Sequence, residues 1–296
     1  MKGPPETVSA VSVVQVASPP DETPDERRGR VAALVREHAA GSDLIVLPEL
    51  WANGYFEFDA YPQQAEELDG PTVTLGRQLA VELGCHLHLG SVLLRHPDAG
   101  MTNTALLIGP DGRIVHRYEK IHVFGYQSRE AELLRPGASV SVAATPLGRL
   151  TATTCYDLRF PELWRTLVDA GAELAVVPAA WPAARRGHWR LFTSCRAVEE
   201  QMYVIACNAV GPQRGGVLLG GHSRIVDPWG EVVLEAGDNE GVFTATIDRD
   251  LVRRTRSEFP VLRDRVPSIT TVPDMTIDAT GVPQEAGAPQ AMGERP

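Results

Sequence analysis

Hydrophobic and polar positions follow two recurring patterns along this chain. Short apolar runs such as residues 8–18 and 43–50 have the length and the β-branched content of buried strands. Other stretches place apolar residues at helical spacing, as Val31 and Val35 do after a capping-box sequence at residues 23–26. The alternation of the two patterns predicts an α/β fold in which helices cover sheets.

The same patterns continue to about residue 265. Helices are predicted from residue 24 to about 41, over 71–83, over 161–170 and over 188–200. Single strands are predicted over 85–94, 173–178 and 202–210, and hairpins with turns at 110–112, 146–148 and 227–230. Because both hairpins and helical crossovers occur, we expect sheets with mixed strand directions.

The composition changes near Pro267. Beyond it the chain is rich in Pro, Gly, Thr and Ala and has few large apolar residues. Such a segment buries too little apolar surface to form a core of its own. We therefore predict one domain over residues 1–267 and a C-terminal tail over residues 268–296.

Length and charge exclude several classes of protein. The chain has 296 residues, 43% of them hydrophobic, so it can bury a large core without disulfides or a structural metal. A net charge of −10 argues against nucleic-acid partners. No apolar run reaches the roughly 20 residues of a membrane span, and the first residues do not resemble a signal peptide. We expect a soluble cytoplasmic protein without membrane partners.

The four cysteines lie far apart and form no CxxC pair. This spacing contains no recognisable zinc or thioredoxin-type motif, and in a reducing compartment the thiols are expected to be free. They are Cys85, Cys155, Cys195 and Cys207.

Three ionisable residues follow three predicted strands. Glu49 follows the run DLIVLP, Lys120 follows RIVHRYE, and Cys155 follows RLTATT. If these strands are neighbours in one sheet, the side chains converge: the carboxylate can deprotonate the thiol, and the ammonium can stabilise an oxyanion. Taken singly, Cys155 could be a small core residue, Glu49 a turn cap and Lys120 a surface lysine. Together they favour attack by sulfur on a carbonyl or nitrile carbon.

The segments LPELWANGY, YEKIHVF and CYDLRFPELWR resemble the three signature segments of the nitrilase superfamily of carbon–nitrogen hydrolases. The resemblance extends over about residues 8–265. It implies that Glu49 is the general base, Lys120 the oxyanion stabiliser and Cys155 the nucleophile, and we expect the Tyr156 backbone N–H as a second oxyanion donor. No metal or organic cofactor is required.

The resemblance also implies a fold and an assembly. Its members form a four-layer α-β-β-α sandwich, whereas composition alone supports only a mixed α/β fold. They dimerise through helices near the nucleophile, which makes the helix over residues 161–170 the candidate interface of a homodimer or a higher homo-oligomer.

The family has a second glutamate seven residues before a glycine. Counting back from Gly137 in REAELLRPG gives Glu130, whereas the competing Glu132 lies only five residues before it. A carboxylate at this position would keep Lys120 charged and help to relay protons. We therefore assign Glu130 to the site.

Residues after the cysteine favour one branch of the family. CYDLRFPE, with AAW, HW and GHS downstream, looks most like the omega-amidases and related small-amide amidases. Nitrilases more often have tryptophan and glutamate where Tyr156 and Asp157 stand, so amide hydrolysis is favoured over nitrile hydrolysis. One departure is Glu200, which replaces the asparagine of the family's RAxEN segment.

Other activities stay open at this level. They are a nitrilase, an N-carbamoyl amide hydrolase, a non-catalytic binding protein that has kept the fold, and a Cys–His hydrolase with His122 or His188 as base.

Substrate contacts are predicted for both apolar and cationic residues. Tyr55 and Trp181 are candidate pocket walls, although Trp181 could equally be a core residue, and His188 is a candidate for the entrance. The free carboxylate of a dicarboxylic acid monoamide would need a cation, because guanidinium matches carboxylate geometry. Arg159, Arg185 and Arg186 are the candidates. Alternatively, Arg159 pairs with Asp157 or Glu162, and the other two are solvated loop charges.

Overall fold

A computed structural model describes residues 8–97, 100–266, 276–277 and 283–284. The chain divides into two compact units, Met1–Phe259 and Pro260–Pro296. The first unit carries all the predicted helices and sheets. In the second, Thr276–Ile277 pairs antiparallel with Pro283–Gln284, and the rest of the predicted tail lies outside the described residues.

Two six-stranded sheets form the centre of the first unit. Their strands, in chain order, are β1 Val8–Gln15, β2 Leu44–Val46, β3 His86–His96, β4 Gly100–Ile108, β5 Ile114–Glu119, β6 Ala143–Thr145, β7 Gly148–Ala152, β8 Leu174–Ala179, β9 Tyr203–Asn208, β12 Arg224–Val226, β13 Val232–Glu235 and β14 Gly241–Asp248. A separate two-stranded ribbon consists of β10 Val210–Pro212 and β11 Leu218–Gly220.

Seven α-helices and four short 3-10 helices are described. The α-helices are α1 Pro24–His38, α2 Tyr61–Gln64, α3 Pro71–Leu83, α4 Glu130–Leu133, α5 Pro161–Asp169, α6 Arg186–Glu200 and α7 Leu251–Glu258. The 3-10 helices are Phe58–Ala60, Cys155–Arg159, Ala183–Arg185 and Arg214–Gly216.

The two sheets share one plan of strand directions. The first has the order β14-β1-β2-β3-β4-β5 and the second the order β13-β12-β9-β8-β7-β6. In each, three central strands are parallel and the remaining pairings are antiparallel. This confirms the expected mixture of crossovers and hairpins.

The sheets pack face to face, and helices cover their outer faces. One buried cluster joins apolar residues of both sheets, among them Val13, Val46, Leu107, Leu150, Val176 and Ile205. Another joins α1 and α3 to the first sheet, through residues such as Val31, Val35, Val73, Ile45 and Leu87. On the other side α6 packs on β9 and β12. The four-layer α-β-β-α sandwich is therefore confirmed.

Local sequence signals account for several element ends. Thr23 and Glu26 form the predicted capping box at the start of α1, with Thr23 N donating to Glu26 Oε2 at 2.9 Å. A cap of this kind contributes about 1 kcal/mol to stability. Gly84 ends α3 in the left-handed region with a φ of 63°, where a side chain would be strained.

The unusual Glu200 has a structural partner. Its Oε2 accepts a hydrogen bond from Arg165 Nη1 at 2.9 Å, which joins α6 to α5. Because the Glu200 side chain is fully buried, this charge requires such a partner. The departure from the family pattern is thus accommodated in helix packing.

Candidate active site

The three predicted ionisable residues meet at one end of the sandwich. Glu49 follows β2 and Lys120 follows β5, both in the first sheet, whereas Cys155 follows β7 of the second. The idea that their strands are neighbours in one sheet is therefore wrong. The side chains converge because the two sheets are stacked with these strand ends together. Glu49 and Lys120 are each 1% exposed and Cys155 is 9% exposed.

Lys120 lies between two carboxylates. Its Nζ donates to Glu49 Oε1 at 2.8 Å and to both oxygens of Glu130 at 2.9 and 2.8 Å. Glu132 is exposed and pairs with Arg129, so Glu130 is the glutamate that joins the cluster. Two ionised carboxylates around one ammonium leave an excess of one negative charge in a buried site.

The Glu130 carboxylate uses all its acceptor positions. Besides Lys120, it accepts from Asn103 Nδ2 at 3.0 Å, from the Tyr55 hydroxyl at 3.0 Å and from the Phe124 backbone N–H at 2.7 Å. A carboxylate with so many donors is held in a fixed position. Glu130 thereby holds both Lys120 and the loop that carries Phe124 in place.

A tight turn presents Cys155. Its φ of 48° lies in the left-handed region, which is strained for a residue with a side chain. The turn opens the 3-10 helix Cys155–Arg159, so β7 ends earlier than the threonine-rich sequence predicted. Backbone N–H groups in the first turn of a helix have no acceptor within it. The Tyr156 N–H, one residue beyond the thiol, is such a group.

The buried Asp157 carboxylate stabilises this turn. Its Oδ2 accepts from the Thr154 N–H at 2.9 Å and from the Tyr118 hydroxyl at 2.7 Å. Its Oδ1 accepts from the backbone N–H of His122 at 3.0 Å and lies 2.8 Å from Nδ1 of the same residue. Asp157 therefore joins the cysteine turn to the strand that precedes Lys120.

Burial changes the acid–base properties of the cluster. It raises the pKa of the Glu49 carboxyl, and it raises the pKa of the Cys155 thiol, with the neighbouring Glu49 charge adding to the effect. Burial opposes the charge on Lys120, but Glu130 and Glu49 overcome this and raise its pKa well above the usual range. The Glu49 carboxyl and the thiol also interact electrostatically. A carboxylate with a raised pKa is a stronger proton acceptor for it.

The two candidate histidines have other contacts. His122 binds Asp157 and stacks on Phe160 with ring centroids 3.7 Å apart. His188 is exposed, and its Nδ1 lies 3.3 Å from Arg159 Nη2. Among the described residues, neither histidine hydrogen-bonds the thiol, so the geometry favours Glu49 as the base.

A pocket of about 340 Å³, including its open mouth, leads to Cys155. Most of its wall is aromatic or apolar, and it contains four of the residues predicted to contact substrate or its carboxylate. The lining residues are Tyr55, Phe56, Phe124, Cys155, Tyr156, Arg159, Ala180, Trp181, Pro182 and Arg185. His188 is exposed on α6 and is not among the lining residues, but its Nδ1 lies 3.3 Å from Nη2 of the lining residue Arg159, so its place at the entrance stays a prediction.

Two guanidinium groups line the pocket without a carboxylate partner. Arg159 lies over the rings of Trp181 and Phe192, at 4.8 and 5.2 Å from their centroids, and Arg185 lies 5.8 Å from the centroid of Phe124. Within the described part of the chain, neither forms an ion pair with Asp or Glu. The alternative pairing of Arg159 with Asp157 or Glu162 is thus not observed. Arg186 points elsewhere and pairs with Asp238.

Sequence reasoning missed two polar contacts of Glu49. Asn103 Nδ2 donates to Oε1 at 2.8 Å, and the Ala180 backbone N–H donates to Oε2 at 2.9 Å. Neither carries a local signal, because Asn103 lies within β4 and Ala180 directly follows β8. Phe56 and Phe124 of the pocket wall were also missed.

The described residues contain no cluster of three or more His, Cys, Asp or Glu side chains placed to hold a metal. None of the described helices combines the length and the apolar content that crossing a bilayer requires.

A four-layer sandwich with a buried cysteine, lysine and carboxylates at the end of its sheets is an architecture of nitrilase-type hydrolases. The family model described as carbon-nitrogen hydrolase matches residues 10–257. The chain belongs to the carbon-nitrogen hydrolase family, and it is therefore an enzyme that acts on carbon–nitrogen bonds.

Relatives with named activities are similar along most of the chain. The 2-oxoglutaramate amidase of Paenarthrobacter nicotinovorans is 38% identical over 277 residues, covering 91% of this chain and 94% of that protein. Omega-amidase NIT2-A of Xenopus laevis is 34% identical, covering 86% and 94%. The solved structure of XC1258 from Xanthomonas campestris, a CN-hydrolase superfamily protein with an arsenic adduct in its active site, has a TM-score of 0.81. It is 31% identical, covering 89% of this chain and 99% of that one.

Proposed function

We propose that the protein is an amidase that hydrolyses the omega-monoamide of a short dicarboxylic acid to a carboxylate and ammonia. The observation that carries this proposal is the Glu49–Lys120–Cys155 cluster at the base of a pocket lined by two guanidinium groups that form no ion pair with a described Asp or Glu. The named activities of the two amidase relatives support it.

In the first half of the reaction, Glu49 accepts the proton of the Cys155 thiol while sulfur forms a bond to the amide carbon. The carbonyl π electrons move to oxygen, where Lys120 Nζ and the Tyr156 N–H stabilise the negative charge. Glu49 then passes its proton to the amide nitrogen. The C–N bond breaks, ammonia leaves, and a thioester remains on Cys155.

In the second half, water hydrolyses the thioester. Glu49 takes a proton from water as its oxygen attacks the thioester carbon, and the same two donors stabilise the second oxyanion. When this intermediate collapses, the C–S bond breaks, the acid departs, and the proton returns from Glu49 to sulfur. No step in this sequence requires a cofactor.

The walls of the pocket suit a short substrate with one charged end. Tyr55 and Trp181 contact its methylene groups, and Arg159 and Arg185 take its free carboxylate, because a guanidinium donates two parallel hydrogen bonds to a carboxylate. His188 acts only indirectly, as a partner that orients Arg159.

Ammonia release from a panel of monoamides, simple amides, N-carbamoyl compounds and nitriles tests the proposal. We expect turnover of monoamides by the wild type and none by Cys155→Ala. Cys195→Ala is the matched control, because Cys195 lies on α6 outside the pocket. Equal activity of wild type and Cys155→Ala would refute the mechanism. Turnover of nitriles or N-carbamoyl compounds alone would reassign the substrate.

The non-catalytic alternative predicts a different result. In that case Cys155 would be alkylated by iodoacetamide no faster than Cys85, Cys195 or Cys207. We expect Cys155 to react first, because Glu49 can take up its proton and the pocket admits the reagent.

We also propose that the protein forms a homodimer or a higher homo-oligomer through α5 and the neighbouring α6, and that it works in the cytoplasm. The helix α6 exposes Leu191 and Val198, with 63% and 48% of their surface accessible. Four free cysteines suit a reducing compartment. Sedimentation as a stable monomer would refute the assembly, and cell fractionation tests the location.

A further inference from the structure

Asn103 contacts every charged member of the cluster. It lies on β4, one of the two strands that separate β2 from β5, and it is 1% exposed. Its Nδ2 donates to Glu49 Oε1 at 2.8 Å and to Glu130 Oε1 at 3.0 Å. Its backbone carbonyl accepts from the Lys120 N–H at 2.9 Å. One residue thus bridges the two carboxylates and anchors the strand end that carries the lysine.

The orientation of this amide follows from its neighbours. Both groups nearest Nδ2 are carboxylate oxygens, which can only accept, so the nitrogen and not the oxygen must face them. Oδ1 is consequently buried without a hydrogen-bond partner among the described residues. A leucine at this position would avoid that unsatisfied acceptor, so stability alone does not explain an asparagine here.

The electrostatics of Glu49 indicate what the amide does. Glu49 faces Lys120 after β5, Glu130 of α4, the Cys155 thiol and the Ala180 N–H. Burial makes ionisation of Glu49 less favourable, the positive Lys120 opposes this effect, and the negative charge of Glu130 adds to it. The Asn103 N–H groups lie between the two carboxylates and lower their mutual repulsion. Hydrogen bonds of this kind favour the ionised form of a carboxyl group.

We propose that Asn103 is a positioning residue for amide hydrolysis, which holds Glu49 and Glu130 on either side of Lys120 and keeps Glu49 ionised and aimed at the Cys155 thiol. The inference rests on the proposed function, because it assigns Glu49 as the base. Asn103 itself acts through the two glutamates.

Two variants of similar size separate the electrostatic role from a role in packing. Asn103→Leu removes both N–H donors together with the unsatisfied oxygen, and Asn103→Asp replaces the donors by a further carboxyl group. We expect kcat to fall about tenfold to a hundredfold in Asn103→Leu, because the general base Glu49 is still present but less often ionised and correctly placed. KM should change little, because Asn103 does not line the substrate pocket. The acidic limb of the rate–pH profile should move to higher pH in Asn103→Leu, and further in Asn103→Asp.

Thr102→Val is the matched control. Thr102 is the preceding residue on β4, equally buried, and its hydroxyl hydrogen-bonds Thr104 and His96 instead of the site. We expect this variant to keep the wild-type pH profile. Titration of alkylatable Cys155 measures the folded, competent fraction of each variant, so that a loss of folded protein is not counted as a loss of kcat.

Two outcomes would overturn the proposal. One is a wild-type kcat and pH profile in both Asn103 variants. The other is a loss of activity that merely follows the loss of competent Cys155. The pH dependence of Cys155 alkylation gives a second readout that needs no amide substrate. If the wild type hydrolyses no amide, the proposed function fails, and an unshifted alkylation profile in both variants would still refute the role of Asn103.

Discussion

Arg159→Met gives the sharpest test of the substrate class. Arg159 is the pocket cation that lies against Trp181 and Phe192, and no carboxylate of the described residues neutralises it. Methionine keeps most of the apolar stem that packs on these rings and removes the guanidinium. The substitution therefore removes recognition of a substrate carboxylate while the pocket keeps its wall.

The expected size of the effect follows from exposure. A hydrogen bond to a charged group contributes about 1.5–3 kcal/mol when it is well shielded. Arg159 is only partly buried, so water screens its charge and the lower half of this range applies. We expect about 1.5–2 kcal/mol, which corresponds to a decrease of about tenfold to thirtyfold in kcat/KM.

Two substrates of equal carbon count supply the assay. The monoamide of succinic acid carries a terminal carboxylate, and butanamide has a methyl group in its place. Ammonia release should show the full decrease in kcat/KM for the anionic substrate and little change for the neutral one. Arg185→Met, measured in parallel, reports whether the second cation shares the role.

Equal losses on both substrates would show that Arg159 only supports the pocket wall. An unchanged preference for the anionic substrate in both single variants and in the double variant would refute carboxylate recognition by these arginines.

Four further predictions concern the catalytic cluster. Lys120→Met should abolish turnover and lower the free energy of unfolding by about 3–5 kcal/mol, because it leaves buried carboxylates without a cation; urea denaturation measures this, and unchanged stability would contradict it. The value of kcat/KM should fall with decreasing pH while Glu49 becomes protonated, and the fall should begin above pH 4.5, since burial raises the pKa of Glu49 above that ordinary value. A limb confined to lower pH would argue against Glu49 as the base. Asp157→Ala should lower the free energy of unfolding by at least about 2 kcal/mol, because it leaves two buried donors, the Thr154 N–H and the Tyr118 hydroxyl, without this acceptor; thermal unfolding tests this. Gly137→Ala would place a Cβ 2.2 Å from the backbone oxygen of Glu119, the residue before Lys120. The backbone must move to relieve this clash, and the resulting displacement of Lys120 should lower kcat about a hundredfold. Ser91→Ala, at another buried position, serves as a comparison for stability.

The spacing rule that selected Glu130 has a physical basis in the fold. The Gly137 N–H donates to the Lys120 carbonyl at 2.8 Å, and the lack of a side chain at Gly137 allows its backbone to approach Glu119. The residues between Lys120 and Gly137 thus form a loop whose ends are close together, and within this loop the Glu130 carboxylate contacts Lys120 Nζ. Glu132 occupies the same short helix, α4, but projects outward. The seven-residue spacing between Glu130 and Gly137 therefore reflects the close backbone contact of Gly137 with Glu119 and Lys120.

The amino-acid sequence by itself determined which segments form helices and strands, where several of them end, and which residue types could supply the chemistry. These properties depend on local periodicity, on caps such as Thr23 and on the φ preference of Gly84, and all of these act within a few residues. The motifs around Glu49, Lys120 and Cys155 identified the family for the same reason, since each is contiguous.

Only the tertiary structure decided how those residues meet. That Cys155 approaches Glu49 from the second sheet, and not from a neighbouring strand, depends on how two apolar faces stack across the whole chain. The position of Asn103 between the carboxylates and that of Arg159 in the pocket arise from the same long-range packing. Pairing of strands distant in sequence is set by the burial of both partners at once, and neither partner's local sequence specifies the other.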